Sequence, residues 1–232
     1  MPGDAVQAPA ECRLCRASAP PFEMAVAHGV YSGRLRVLVH LLKYDGMEPL
    51  ARRLGALLAE RVLAIPSLPE ELTVVPVPLW PAKHRQRGFN QAEHIARGAM
   101  EAILRRRPGM RIKMVARALA RQRATESQAG LSPRERRINV RGAFFVAQPA
   151  AIDGKHVLLI DDIYTTGATA RACAQALRSA GATRVWVGTV ARAQREDGLL
   201  RVDADPAVES KNQEALEIPM EDDAVLWDRP PQ

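Results

Sequence analysis

The feature that most constrains the fold of this chain is the stretch HVLLIDDIYTTGATA at residues 156–170. Its first part, 156–160, is predicted to be a strand, because the unbroken run VLLI is typical of a strand buried on both faces of a parallel sheet. Two adjacent carboxylates, Asp161 and Asp162, follow at once. A short threonine-rich turn then leads into an alanine-rich segment, for which we predict a helix over 168–179.

The rest of the chain alternates in the same way between strand and helix patterns. A strand over 184–190 completes a βαβ unit with the central stretch. Upstream, the apolar run 73–80 contains two prolines, so we expect a strand that leaves its sheet at Pro76 or Pro78. Further predicted elements are a strand at 25–31, a helix that begins after Ser32, helices over 49–64 and 89–104, a helix that begins at Ser132, and a strand within 142–147. This alternation predicts an α/β fold with a mostly parallel sheet flanked by helices.

Length and composition favour one domain with appendages. The chain has 232 residues, and 47% of them are hydrophobic, which is enough for a full core. No apolar run approaches the length of a membrane span, so we expect no membrane insertion. The first residues lack the charged and apolar regions of a signal peptide, and three cysteines do not make a disulfide framework. These features predict a cytoplasmic protein.

Charge is divided unevenly along the chain. The net charge is +7, but the segment 195–232 has eleven acidic and four basic residues, a balance of −7, so the rest carries +14. This segment has few aromatic residues and no periodicity, and we expect a disordered acidic tail. A basic body favours an anionic partner, either a nucleic acid or a phosphorylated small molecule, but an Arg-rich surface that only keeps the protein in solution would have the same charge.

The paired acids at the predicted strand end indicate a ligand site. Asp161 and Asp162 repel each other, so we expect a compensating group, such as sugar hydroxyls that donate hydrogen bonds or a metal-bound ligand. In an open α/β sheet, ligands bind at the carboxyl ends of the strands, where these two residues lie.

The turn after the acids has the composition of a phosphate site: Thr165, Thr166, Gly167, Ala168 and Thr169. Glycine permits a tight turn, successive N–H groups can converge on an anion, and the positive end of the next helix points to the same place. The turn is not a P-loop, because the lysine of that motif is absent. A phosphate turn beside two carboxylates predicts a ligand with a phosphate at one end and sugar hydroxyls at the other.

The residues 157–169 closely resemble the 5-phosphoribosyl-1-pyrophosphate (PRPP) signature of type I phosphoribosyltransferases. Three further stretches resemble the ComF branch, competence-associated relatives of amidophosphoribosyltransferase. They are LLKYDG (41–46), VPVPLWPAKHRQRGFNQAE (75–93), and the pattern R-x-R-x-T-x-x-Q-x-x-L-S-x-x-x-R-x-x-N-V (121–140). The resemblance covers about residues 23–192 and implies a type I phosphoribosyltransferase fold.

The resemblance also implies roles for individual residues. Asp161 and Asp162 would be catalytic residues that hold the ribose hydroxyls, and the turn 165–169 would bind the 5-phosphate. The basic loop that carries Lys83, Arg85 and Arg87 would face the pyrophosphate. A mobile loop with Arg121 and Arg123 would close over the site.

The activity that the resemblance implies is transfer of the 5-phosphoribosyl group from PRPP to a nitrogen acceptor, with release of pyrophosphate. Mg²⁺ would bind through the phosphates of PRPP, so a dedicated metal cage is not required. An alternative stays open: a non-catalytic accessory protein on the same fold, which binds PRPP, a nucleotide or single-stranded DNA and works with the DNA-uptake machinery. Homodimer formation also stays open.

ComF-like chains usually begin with a zinc module that contains two CxxC pairs, whereas this chain has one, Cys12 and Cys15. Structural zinc normally takes four ligands. The expectations that remain are loss of the upstream pair, a start codon placed too late, or a zinc site shared by two chains. We thus expect a partial zinc-ribbon-like segment over 1–20, a phosphoribosyltransferase domain over 21–194, and the acidic tail.

Overall fold

The computed structural model describes residues 19–122 and 142–193. The chain divides into two units, Met1–Arg201 and Val202–Gln232, and every described residue belongs to the first. Several predicted features fall outside the described residues: Cys12, Cys15, Arg123, the helix start at Ser132, and the acidic segment 195–232.

The described residues form seven strands and five α-helices. The strands are β1 (Met24–Val30), β2 (Glu71–Pro76), β3 (Arg111–Met114), β4 (Leu119–Arg121), β5 (Phe144–Val146), β6 (His156–Tyr164) and β7 (Arg184–Arg192). The helices are α1 (Gly33–Tyr44), α2 (Pro49–Leu63), α3 (Pro81–Arg87), α4 (Gln91–Arg106) and α5 (Ala168–Ser179), and a short 3₁₀ turn spans Pro149–Ala151. Within the described ranges, no helix is long and apolar enough to cross a membrane.

Five strands form one sheet in the order β1-β7-β6-β2-β3, and every pairing in it is parallel. The strands β4 and β5 pair separately as a small antiparallel ribbon. The predicted α/β class with a mostly parallel, helix-flanked sheet is therefore confirmed.

The sheet is buried on both faces, as the apolar run in β6 predicts. Successive side chains of a strand point to opposite faces, so Leu158 and Ile160 join one core, whereas Val157 and Leu159 join the other. The first core lies under α1, α2 and α4, and the second lies under α5 and the β4–β5 ribbon. Each face of β6 thus meets a different set of helices.

Two glycines bring α2 and α4 into close contact. A Cβ atom at Gly98 would lie 2.7 Å from the Cα atom of Arg52, and one at Gly55 would lie 2.6 Å from the backbone nitrogen of Ala99. Both distances are shorter than real Cβ contacts, so the helices can pack this closely only because the side chains are absent. The close packing fixes α4, whose first turn enters the candidate site.

One predicted strand end and one predicted loop were wrong. The strand β6 does not end at residue 160 but continues to Tyr164, because β7 pairs with it as far as that residue. The basic stretch after β2 is not a loop but the helix α3. Pro81 occupies its first position, and Gly88 ends it with a left-handed φ of 83°, both of which are common at helix ends.

Candidate functional site

The candidate site lies where β2 and β6 separate. The two strands pair as far as Pro76 and Ile160, and one further hydrogen bond joins Val77 N to Ile160 O. Beyond Ile160, β6 pairs only with β7. The chain leaves β2 through α4 toward β3, and it leaves β6 through α5 toward β7, so the two connections run to opposite edges of the sheet. Such a reversal point is where open α/β sheets bind ligands.

The two acids stand at this point but point away from each other. Because side chains alternate along a strand, Asp162 shares the face of Ile160, and Asp161 shares the face of Leu159. Asp162 therefore reaches toward α1 and α4, whereas Asp161 lies on the side of α5. The repulsion expected between neighbouring carboxylates is thereby reduced, although it is not removed.

Asp162 is compensated by the protein itself. Its side chain is 7% exposed, and its Oδ2 atom lies 3.0 Å from Lys43 Nζ and accepts a hydrogen bond of 2.8 Å from Gln91 Nε2. Burial alone would lower the pKa of the Lys43 ammonium, but the charge of Asp162 and their hydrogen bond raise that pKa above its ordinary value. Asp162 and Lys43 thus form a buried ion pair.

Asp161 is in a different electrostatic state. Removal from water and then the charge of Asp162 raise the pKa of Asp161 to about 7. The Asp162 backbone N–H, which donates to Asp161 Oδ1 at 2.9 Å, and the charges of Lys43 and Arg121 act in the opposite direction. Asp161 also raises the pKa of the buried Cys173 thiol, after the larger effect of burial itself. Its carboxyl group therefore changes protonation near neutral pH.

Several basic side chains converge on the acids. Burial and then the charges of Arg121, Arg87 and Lys43 lower the pKa of the Lys83 ammonium. Lys83 and Arg87 are four residues apart on α3 and share one face, whereas Arg85, two residues from each, lies on another face. The structure therefore brings Lys83 and Arg87 together, and it does not bring Arg85 to them.

Arg121 is the last residue of β4 and pairs with Phe144 of β5. Its guanidinium group lies 5.4 Å from the centre of the Phe144 ring. The residue expected to begin a mobile loop is therefore the end of a two-stranded ribbon, and its partner in that prediction, Arg123, is outside the described residues.

The predicted phosphate turn joins β6 to α5. Gly167 caps α5 with a left-handed φ of 74°, and the Thr166 hydroxyl accepts a hydrogen bond of 3.3 Å from Ala168 N. A Cβ atom at Gly167 would overlap the Tyr164 hydroxyl, so both the conformation and the space require glycine. The turn directs the first N–H groups of α5 to the carboxyl end of β6, a favourable place for an anion.

Lys43, Gln91 and Tyr44 were not predicted as site residues, although all three lie in the stretches 41–46 and 75–93 that carry the family resemblance. Lys43 follows Val39 and Leu42 on the buried face of α1, where an unpaired lysine is rare. Gln91 follows the Asn90 cap and is 5% exposed. For Lys43 and Gln91, a charged or amide side chain at a core position was the available signal, whereas Tyr44 is exposed and offered no such signal.

The residues present fit a metal that arrives with its ligand. Within 19–122 and 142–193, no group of three or more His, Cys, Asp or Glu side chains could hold a metal ion by itself. Asp161 and Asp162 supply carboxylate oxygens, the donor type that Mg²⁺ prefers, beside a turn suited to phosphate.

Comparison with known proteins identifies the family of this fold. A model of the phosphoribosyl transferase domain matches residues 85–222, more than half of the chain. The DNA utilization protein YhgH of Escherichia coli O157:H7 is 32% identical over 186 residues, which cover 78% of this chain and 77% of that protein. Competence protein F of Haemophilus influenzae is 29% identical over 78% of each chain.

Among solved structures, a glutamine PRPP amidotransferase from Bacillus subtilis, complexed with ADP and GMP, matches with a TM-score of 0.35 and 24% identity. The match covers 59% of this chain, which spans a quarter of the length of that enzyme.

The parallel, helix-flanked sheet and the match to the domain model together identify a phosphoribosyltransferase-type domain. The chain belongs to the phosphoribosyl transferase domain family, in the ComF branch together with the DNA utilization and competence proteins. The resemblance inferred from the sequence is thus confirmed.

Proposed function

We propose that this protein binds PRPP together with Mg²⁺ and transfers its 5-phosphoribosyl group to a nitrogen acceptor, with release of pyrophosphate. One observation carries the proposal. A carboxylate pair, a glycine-containing phosphate turn and a cluster of basic side chains meet where β2 and β6 separate. The three groups match the hydroxyls, the 5-phosphate and the pyrophosphate of PRPP.

Each end of the donor has a suitable partner. The first turn of α5 and the hydroxyls of Thr165, Thr166 and Thr169 would hold the 5-phosphate through N–H and O–H donors. Asp161 would accept hydrogen bonds from ribose hydroxyls, and Asp162, fixed by Lys43, would offer its second oxygen to them. These assignments use the residues predicted from the sequence and add Lys43.

The basic cluster would act on the leaving group. When the bond from C1 of the ribose to pyrophosphate breaks, its electron pair stays on the pyrophosphate, while the acceptor nitrogen bonds to C1 and loses a proton. Lys83 and Arg87 would stabilise the negative charge that develops on the pyrophosphate, and the carboxylates would stabilise the positive charge on the ribose. Mg²⁺, when bound through the phosphates, supplies further positive charge at the same end.

Calorimetric titration with PRPP and Mg²⁺ tests the donor site. Asp161→Asn should weaken binding at least about ten-fold at pH 8, because neutral asparagine replaces a charged acceptor of two hydroxyl hydrogen bonds. Glu101→Gln, an exposed carboxylate near the far end of α4, is the matched control and should bind as wild type does. A wild-type protein that does not bind PRPP would contradict the proposal. A screen for PRPP-dependent pyrophosphate release across nucleobases and amines then tests turnover and identifies the acceptor.

A second candidate function is supported by the names of the relatives, which refer to DNA utilization and competence. In this case the same basic cluster would serve an accessory protein that holds single-stranded DNA during uptake. Aromatic residues make up 4% of the chain, which disfavours a platform for base stacking. Filter binding at increasing salt tests it, since affinity that stays constant would exclude contacts with the phosphate backbone.

The proposal extends to the arrangement of the chain. We assign the activity to a domain over 21–194, flanked by the partial CxxC segment and the acidic tail, and we expect it to act in the cytoplasm. Zinc at Cys12 and Cys15 would need ligands from elsewhere, and a homodimer would supply them.

A further inference from the structure

Five residues form a closed ring beside the candidate site, in which four links are side-chain contacts and the fifth is the peptide bond between Lys43 and Tyr44. Arg87 Nη1 donates a hydrogen bond to Gln91 Oε1, and Gln91 Nε2 donates to Asp162 Oδ2 at 2.8 Å. Lys43 Nζ lies 3.0 Å from the same oxygen. Tyr44, the next residue along α1, closes the ring, because the Arg87 guanidinium lies 5.6 Å from the centre of its aromatic ring.

The donor and acceptor groups of these residues fix the orientation of the Gln91 side-chain amide. A guanidinium can only donate hydrogen bonds, so Arg87 takes the carbonyl oxygen of Gln91. The amide NH₂ group must then face Asp162, which as a carboxylate can only accept. With the glutamine reversed, both contacts would be repulsive. Gln91 therefore transmits the position of Arg87 to Asp162.

Tyr44 has little part in the core. Its side chain is 68% exposed, and its ring is held by His40 one turn earlier, at a centroid distance of 4.6 Å, and by Arg87. An exposed aromatic ring under a guanidinium restrains that group without burying it. Since Lys43 and Tyr44 are consecutive, the last turn of α1 holds both Asp162 and Arg87.

We propose that Gln91 and Tyr44 are positioning residues that hold Arg87 at a set distance from Asp162. They thereby fix the separation between the pyrophosphate end and the ribose end of the donor site. This inference rests on the proposed function, because that function assigns the two ends to Arg87 and Asp162. Neither residue needs to touch the ligand.

Tyr44 gives the cleanest test, because the substitution of an exposed side chain changes the free energy of unfolding little. Tyr44→Ala should weaken calorimetric binding of Mg²⁺–pyrophosphate and of PRPP about three-fold, the effect of losing an exposed cation–π contact. Binding of ribose 5-phosphate, which does not extend to Arg87, should stay unchanged. Tyr44→Phe keeps the ring face and should restore wild-type affinity.

Gln91 tests the other side of the ring. Gln91→Met should weaken both pyrophosphate and ribose 5-phosphate about ten-fold, because it removes hydrogen bonds to two charged groups. Gln91→Glu keeps the size and the Arg87 contact but sets a carboxylate against Asp162, and it should weaken ribose 5-phosphate more than pyrophosphate. The second variant keeps the test valid where the methionine variant fails to fold.

The outcomes separate this inference from the proposed function. Wild-type protein that binds PRPP, together with Tyr44→Ala protein that binds it equally well, would overturn the positioning role alone. An equal loss in Tyr44→Phe would do the same. Absence of PRPP binding in the wild type would overturn the proposed function. The contacts among the five residues are then tested without ligand. Tyr44→Ala should shift the Arg87 side-chain N–H resonance, and an unchanged resonance would refute the contact.

Discussion

At the scale of single residues, the paired aspartates are unequal. Asp162 is paired with Lys43 and accepts a hydrogen bond from Gln91, whereas burial and the charge of Asp162 raise the pKa of Asp161 to about 7. The sequence predicted that both belong to a site, because adjacent acids after a buried strand have few structural roles. It could not predict their difference, since the partners of Asp162 come from helices more than seventy residues away along the chain.

The raised pKa of Asp161 predicts a pH-dependent effect on stability. This pKa, about 7, exceeds the ordinary value of 3.8, so the folded protein holds the proton more tightly than the unfolded chain. The associated stability is complete below about pH 4 and is lost as the pH rises through about 7. Asp161→Asn imitates the protonated form. It should raise the free energy of unfolding by about 2 kcal/mol at pH 8 and leave it nearly unchanged at pH 4.

Urea denaturation at both pH values measures this difference. Glu101→Gln is the control: it removes only an exposed ion pair with Arg52 and should change the free energy of unfolding by less than about 1 kcal/mol at either pH. An Asp161→Asn protein that is less stable than wild type at pH 8 would refute the inferred environment of this carboxyl group.

For the buried ion pair we expect the opposite effect of substitution, a loss of stability when one partner is removed. Lys43→Met removes the ion-pair partner of Asp162, whose side chain is nearly inaccessible to water, so it should lower the free energy of unfolding by about 3 kcal/mol at pH 7. Adding Asp162→Asn removes the stranded charge and should recover part of the loss. Thermal denaturation of the two single variants and the double variant gives the coupling, and purely additive effects would argue against the pair.

At the scale of elements, the sequence located helices better than strand ends. The predicted helix over 168–179 coincides with α5, because its pattern and its flanking glycines are local signals. The end of β6 was wrong because strand length depends on the partner, and β7 pairs with it as far as Tyr164. The helix α3 carried signals at Pro81 and Gly88, but its many charges were interpreted as a loop.

The predicted phosphate turn gives a prediction at the scale of elements, for which Gly154 is the control. Gly167 and Gly154 both have left-handed φ values, 74° and 68°, but only Gly167 lacks space for a Cβ atom. Gly154→Ala should lower the free energy of unfolding by about 1 kcal/mol through backbone strain alone. Gly167→Ala should cost more, because the Tyr164 ring must also move, and it should weaken binding of ribose 5-phosphate. Equal effects of the two substitutions in urea denaturation would contradict the steric argument.

At the scale of the whole molecule, the alternation of elements predicted a parallel sheet but not its strand order. The order β1-β7-β6-β2-β3 brings the second and the sixth strands together, and local patterns carry no information on such distant pairings. The sequence nevertheless predicted the acids and the threonine-rich turn of the candidate site together, because they are adjacent in the chain. The resemblance also predicted Lys83 and Arg87, whereas the pairing of Lys43 with Asp162 required the fold.

Because the proposed donor contacts both sides of the reversal point, its binding should stabilise the entire domain. At a concentration of one hundred times Kd, a ligand adds about 2.7 kcal/mol, which corresponds to a rise in Tm of roughly 5–10 °C for a domain of this size. Scanning calorimetry with PRPP and Mg²⁺ measures this rise. Chelation of Mg²⁺ with EDTA should abolish most of it, and a rise that survives chelation would exclude the metal from binding.

The opposite orientation of Asp161 and Asp162 has a practical consequence for protein engineering. Each carboxylate interacts with a different helix between the strands. Asp162 accepts a hydrogen bond from Gln91 of α4, while the charge of Asp161 raises the pKa of Cys173 of α5. A mutant library confined to α4 would therefore change the direct contacts of Asp162 and affect Asp161 only through the charge of Asp162, whereas a library in α5 would change the surroundings of Asp161 directly. Laboratory evolution of this protein could vary the direct contacts of the two carboxylates in separate rounds.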